Sequence, residues 1–347
     1  MNDRPSLIVP RELDFSPPRP IRSPHLQSVL ASSNLRRPLV RARSAPMLEA
    51  SRPRIVHCPD GTRLEALVSL QRSGRSRGLV VAIHGWHGCA DSLYLLSTTG
   101  RLFDAGFDIV RLHLRDHGGT HGLNEELFHS CRIDEAVAAV AELQRGFPDR
   151  RMGLLGFSLG GNFALRIARR APEAGIDLSQ VVAVCPVLEP GRTMDALDAG
   201  WFGYRMTFMR NWRKSMLAKQ AAFPERYDFT ATRDIDTLAE MTDWFVERHT
   251  PYPDSEAYLQ GYTLTGDALA GLTVPSLVLS ALDDPVIPAD GLQRLAPSPA
   301  LDVAVTRHGG HCGYVADGRL RCWLDEVLLE QFAGGQGARS NAASVSG

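Results

Sequence analysis

Lysine is almost missing from this chain. Of 347 residues only Lys214 and Lys219 are lysines, so arginine carries nearly all the positive charge. The 38 cationic residues meet 39 carboxylates, and the formal net charge is −1. A balance so near neutrality gives no reason to expect nucleic acid or a strongly acidic partner. Clustered cysteine is lacking too. Cys58, Cys89, Cys131, Cys185, Cys312 and Cys322 are scattered, with no C-x-x-C pair and no His/Cys run. That spacing argues against a zinc site and a disulfide framework, and makes a reducing cytoplasm the simplest compartment. Met1-Asn2-Asp3-Arg4-Pro5 opens without an apolar stretch, so no secretory signal is expected. No apolar run approaches the length of a membrane span. What remains is ordinary globular composition, 44% hydrophobic and 22% charged. The length suits one large α/β domain with an insertion, or two domains.

One stretch organises the rest: Met152-Gly153-Leu154-Leu155-Gly156-Phe157-Ser158-Leu159-Gly160-Gly161-Asn162. It reads as strand, abrupt turn and helix, with G-x-S-x-G at the turn, the nucleophile elbow of serine hydrolases. The serine must occupy a strained turn so that its oxygen leaves the sheet. The residues two before and two after it then nearly touch, and Gly156 and Gly160 have no Cβ to collide. A helix starting at Leu159 points its N–H groups and positive dipole end at whatever the serine attacks.

Around the elbow the chain alternates strands and helices. Residues 1–50, rich in proline and arginine, read as an extended N-terminal arm. A solvated arm packed along the domain is preferred to a basic membrane-surface arm, because no long amphipathic stripe is visible. A hairpin follows, with Arg54–Cys58 and Leu64–Leu70 flanking Asp60-Gly61. Apolar runs at 79–83, 107–112, 152–157, 181–185 and 275–280 suit strands buried on both faces of a parallel sheet. Helical patterns between them imply a mostly parallel central sheet flanked by helices, with right-handed crossovers. The core is expected at 51–188 and 271–333. Residues 189–270 break the rhythm with several helical patterns and many aromatics, and read as a helical cap insertion over the sheet mouth. Most of those aromatics should form the cap's own core, and a minority should line a pocket. The Gly/Ser/Ala-rich tail, 334–347, reads as disordered.

A serine hydroxyl needs a base, and the base needs an orienting carboxylate. After the elbow, Asp283-Asp284-Pro285 follows one strand, and His308-Gly309-Gly310-His311 follows the last. Loops at the C-terminal ends of parallel strands converge on one crevice, so serine, acid and base can meet. Asp284 is preferred to Asp283 because Pro285 stiffens the loop immediately after it. His311 is preferred to His308 because it lies between glycines. His117 and His121 precede the elbow, which is the wrong chain order. For the oxyanion, backbone N–H groups are expected from Leu159 and from Trp86, in the loop after 79–83.

Taken together, these residues resemble the α/β-hydrolase superfamily, and more narrowly its YheT/ABHD1-3/EMB8-like group. The resemblance runs from about Pro24 to Phe332. It rests on Pro24-His25-Leu26-Gln27-Ser28, His84-Gly85, Arg115 to Glu135 with Phe128-His129-Ser130 inside it, the elbow, Asp283-Asp284-Pro285 and Gly309-Gly310-His311-Cys312-Gly313-Tyr314. It implies nucleophile Ser158, acid Asp284 and base His311, an α/β-hydrolase fold, and hydrolysis of lipid or medium-chain acyl esters. Arg115-Asp116 departs from the group's usual Arg-Gly pair, and the membrane-anchoring N-terminal helix of animal members is not seen.

The sequence therefore leads to a cytoplasmic, serine-dependent carboxylic-ester hydrolase of the esterase/lipase kind. It would use no cofactor and no metal, and take a small-molecule ester, apolar in its acyl part. Two alternatives stand beside it. One is an acyltransferase built on the same three residues. The other is a non-catalytic ligand-binding protein on the same scaffold.

Overall fold

The computed structural model of the chain describes residues 8–334. The predicted disordered tail lies, beyond Gly334, outside the described residues.

The runs of apolar residues become strands because each can be buried on both faces. Nine strands form one sheet: β1 (Arg11–Glu12), β2 (Ser51–His57), β3 (Arg63–Ser69), β4 (Leu79–Ile83), β5 (Asp108–Leu112), β6 (Met152–Phe157), β7 (Leu178–Val184), β8 (Ser276–Ala281) and β9 (Leu301–Thr306). Their order is β1-β9-β8-β7-β6-β4-β5-β3-β2. β2 and β3 form the expected hairpin, pairing His57 with Arg63 across Asp60-Gly61, and β3 joins β5 antiparallel. All other pairings are parallel.

Side chains alternate across the sheet as the two-residue period of a strand demands. In β4, Leu79, Val81 and Ile83 join the apolar cluster on one face, while Val80 and Ala82 join the other. The first face is covered by α5 (Ile133–Gly146) and α6 (Leu159–Arg170), the second by α4 (Leu93–Asp104) and α11 (Leu324–Gly334). Between β7 and β8 stand α7 (Pro190–Ala199), α8 (Phe202–Ala222), α9 (Leu238–His249) and α10 (Ser255–Gln260). Met209, Met216, Met241 and Phe245 from these helices join the cluster on the α5/α6 face.

The N-terminal segment differs from the extended arm read in the sequence. Residues 24–50 form α1 (Pro24–Ser32), α2 (Arg37–Arg43) and α3 (Ala45–Ala50). Each has a proline in its first two positions. Proline is tolerated there because the first N–H groups of a helix have no intrahelical partner. Pro24, Pro38 and Pro46 thus stand in the first turns of three short helices, within a segment whose proline content suggested extended chain.

The strand order fixes where a ligand can bind. From β4 the chain goes outward to β5, then crosses back to β6 on the other side of β4. Such a reversal opens a crevice beyond the carboxyl ends of the strands. Trp86 follows β4 and Ser158 follows β6.

Candidate active site

Ser158 sits between β6 and α6 at φ 54° and ψ −120°. Few non-glycine residues adopt a positive φ, and the conformation is held from both sides. The Ser158 N–H donates to Val184 O at 2.9 Å, and Ser158 O accepts from Asn162 N at 3.1 Å. The glycines are needed for contact. A Cβ on Gly156 would lie 2.1 Å from Gly160 O, and one on Gly160 would lie 2.4 Å from His84 O.

The later loops converge on this serine. His311 Nε2 lies 2.9 Å from Ser158 Oγ, and His311 Nδ1 lies 2.8 Å from Asp284 Oδ2. The other Asp284 oxygen accepts from Val286 N at 2.8 Å and Ile287 N at 3.0 Å. Three partners thus fix the carboxylate's plane toward the imidazole. Burial disfavours the charged imidazolium of His311, but the Asp284 charge and hydrogen bond outweigh it and raise the pKa above the ordinary 6.5. Asp283 faces elsewhere, 3.2 Å from His308 Nδ1 and accepting from Gly310 N at 2.9 Å. It braces the loop that carries His311. His308 has no described bond to Ser158. His121 contacts Ser215 Oγ at 2.9 Å.

Trp86, after β4, and Leu159, after Ser158, line one pocket with the serine. Among the described hydrogen bonds, neither backbone N–H donates to another protein group. Gly85 is close enough that an added Cβ would lie 3.1 Å from Ser158 Cβ.

Sequence reasoning missed what holds this loop. Three buried imidazoles pin it to the segment after β5. His113 Nε2 accepts from Ala90 N at 2.8 Å, and His117 Nε2 accepts from His87 N at 3.2 Å. In the opposite direction, His84 Nε2 accepts from Leu114 N at 3.3 Å. Each Nδ1 faces an oxygen: Glu65 Oε2, Arg115 O and Gly85 O respectively. Accepting at Nε2 and donating at Nδ1 defines a neutral ring. Burial favours that form, lowering His117 to about 4, His84 well below 6.5, and His113 as well. The available signal was the concentration of histidines at 84, 87, 113 and 117, at the ends of what proved to be neighbouring strands.

The structure also explains the Arg115-Asp116 departure. Asp116 has φ 57°, a conformation in which glycine is the default and aspartate is tolerated. Its carboxylate accepts from buried Lys219 Nζ at 2.8 Å and from Phe128 N at 2.8 Å. Lys219 also donates to Asn124 O at 2.7 Å. One of the two lysines therefore pins α8 to the core beneath it.

Cysteines dispersed in sequence meet behind the histidine. The ligand atoms of Cys185, Cys312 and His311 lie within 4.8 Å of one another. Both thiols are buried, and all six cysteines are free. The helices between β7 and β8 wall a pocket lined at its base by Ser158 and Leu159. Trp86, Phe128, Phe208, Trp212 and Phe245 line it. Trp86 lies edge-on to Trp212 with ring centroids 5.0 Å apart.

Comparison with known proteins agrees with this architecture. Residues 78–317 match the family model described as alpha/beta hydrolase fold. The chain belongs to that family, and the curated relatives it is similar to include members of the YheT/ABHD-like group. It is 23% identical to YheT of Escherichia coli (strain K12) over 256 residues, 72% of this chain and 74% of that one. It is 24% identical to the monoacylglycerol lipase ABHD2 of Danio rerio, over 56% of this chain and 50% of that one. An esterase of Pyrococcus furiosus shares the fold with a TM-score of 0.53 at 14% identity, covering 82% of this chain and 92% of the other. The family is that of the alpha/beta hydrolases, and these two relatives and this solved structure are themselves named as esterases or lipases.

Proposed function

We propose that the chain is a serine-dependent carboxylic-ester hydrolase that acts through an acyl-enzyme on esters with an apolar acyl part. The observation that carries this reading is the unbroken contact from Ser158 Oγ to His311 Nε2 to Asp284, at 2.9 and 2.8 Å.

In this reading His311 takes the proton from Ser158 as the oxygen attacks the ester carbonyl, and Asp284 stabilises the imidazolium. The Trp86 and Leu159 N–H groups, without a protein acceptor among the described residues, receive the negative charge that develops on the carbonyl oxygen. Each such donor is typically worth about 3 kcal/mol in the transition state. His311 then gives its proton to the departing alcohol, and water releases the acyl group by the same route. The aromatic walls of the cavity favour an apolar acyl chain.

The test is a fluorophosphonate probe beside Ser158→Ala, followed by p-nitrophenyl esters of rising chain length. Ser158 should be labelled and Ser158→Ala should not. The same substitution should lower turnover by about 10⁴-fold or more. Full ester turnover by Ser158→Ala would sink the assignment. Labelling without turnover on any ester would shift it to acyl transfer.

A further inference from the structure

Large apolar side chains left in water are not spread evenly over this molecule. Eleven are exposed among the described residues, and eight come from two short stretches. Leu26, Val29, Leu35 and Leu39 belong to α1, α2 and the link between them. Trp201, Phe202, Met206 and Leu217 belong to α8 and the residue before it. The same two stretches lack carboxylates. Residues 15–48 contain six arginines and no Asp or Glu, and residues 199–224 contain five cations and no Asp or Glu. The whole chain carries slightly more acid than base, so this segregation is local.

The fold brings the stretches together. His25 Nδ1 lies 3.1 Å from Tyr204 Oη, and the His25 ring is 5.9 Å from that of Trp201. Leu26 adjoins His25, and Val29 lies one helical turn further on. Along α8, Phe202, Met206, Arg210 and Lys214 recur every fourth residue and are all exposed, which makes one outward stripe. Phe208 and Trp212 of the same helix line the cavity. Ser28 of α1 accepts from His311 N at 2.8 Å. The apolar and cationic surface therefore borders the mouth of the site.

The geometry points to this surface as a docking face for a lipid bilayer that contains anionic headgroups. Partly exposed aromatic and aliphatic side chains enter the headgroup region, and arginines free of neighbouring carboxylates meet the phosphates. Arg210 and Lys214, on the same outward stripe of α8 as Phe202 and Met206, are exposed to do so. Charge complementarity selects anionic over zwitterionic lipid. No helix among the described residues is long and apolar enough to cross a membrane, so contact is with the surface only. The service this gives, presenting membrane-borne esters to the cavity, rests on the hydrolase reading above, but the binding itself does not. Neither stretch alone shows a long amphipathic pattern, which is why the arm read as merely solvated.

The test is flotation of the full chain with phosphatidylcholine vesicles prepared with and without phosphatidylglycerol. The protein should float with the anionic vesicles, much less with phosphatidylcholine alone, and should detach as salt rises. Brominated acyl chains should quench part of the tryptophan fluorescence, and Trp201→Phe should remove that part. Phe202→Ser with Met206→Ser, and Arg210→Glu with Lys214→Glu, should each weaken partitioning by at least about tenfold. Hydrolysis of a short soluble ester should stay within about twofold of wild type in both double variants, which shows that they are folded. Failure to float with anionic vesicles, equal flotation with both kinds, or full binding by the double variants would overturn the proposal. So would a solution dimer that the Phe202/Met206 variant dissolves. Ser158→Ala should float like wild type, so a failed hydrolase assignment and a failed docking face give different results.

Discussion

At the scale of single residues, adjacent carboxylates have separate duties. Asp284 is almost fully buried and hydrogen-bonds His311, while Asp283 holds Gly310 N and faces His308. Asp284→Asn presents an amide where the imidazole N–H needs an acceptor charge, and kcat/KM should fall by about 10⁴-fold. Asp283→Asn keeps an oxygen for Gly310 N and should cost less than about tenfold. Steady-state rates on one soluble ester decide, and the reverse ranking would exchange the two roles. Gly156→Ala is a second test at this scale. Its Cβ would lie 2.1 Å from Gly160 O, a backbone atom that cannot rotate away. The substitution should remove roughly 1–3 kcal/mol of stability, measured by urea unfolding, along with most activity. Ser158 and His311 were legible because each is embedded in glycines that only a tight approach explains. For the acid, the sequence offered a preference for Asp284 over its neighbour Asp283, drawn from Pro285 alone. Which of two neighbours turns inward is set by hydrogen bonds to Val286 and Ile287, and spacing does not encode that choice. The buried thiols of Cys185 and Cys312 beside His311 left no mark in the sequence, because the fold alone joins them.

At the scale of elements, legibility followed burial. β4, β5, β6 and β8 are buried at every position, and their sequences announced them. The arm failed for the opposite reason. Its helices are short, begin with proline and bury few residues each, so local composition was misleading. How α8 docks on the core was not legible, because docking depends on a pair far apart in the chain. Lys219 and Asp116 are nearly inaccessible to solvent and lie 2.8 Å apart. Removing one partner leaves the other charged and buried, which commonly costs about 3–5 kcal/mol. Lys219→Met should therefore destabilise the protein by that order in a urea titration. Lys219→Met combined with Asp116→Asn should recover a large part of it, since no charge is then stranded. A double variant as unstable as the sum of the singles would mean that the pair acts independently, against this account.

At the scale of the whole molecule, His311 and the deeply buried histidines respond oppositely to acid. His311 is raised above 6.5, so it charges first as pH falls, and activity should fall with an inflection above 6.5. Its contribution to stability is present when it is charged and is lost only as pH rises through its folded-state pKa. Acid therefore silences the site without loosening the fold. The buried histidines do the reverse. His117 is lowered to about 4 and His129 to about 3, both chiefly by burial, and His84 and His87 lie well below 6.5. Below 6.5 the unfolded chain takes protons at these positions and the folded chain does not. Stability then falls with pH by about 1.4 kcal/mol per unit for each such histidine. Asp325, pushed up to about 6 by burial, and Glu135, also raised by burial, oppose this but are fewer. Two acid transitions should result, separated along the pH axis. Rates and thermal midpoints measured in the same buffers would show the first as lost turnover without a fall in midpoint, and the second as a falling midpoint below 6.5. The neutral rings at 84, 113 and 117 hold the Trp86 loop, so the second transition should begin there. Hydrogen exchange should show the His87 and Ala90 amides losing protection before the core strands β4 and β6. If rate and midpoint fall together with one inflection below 6.5, His311 is not raised and the opposition between it and the buried histidines is wrong.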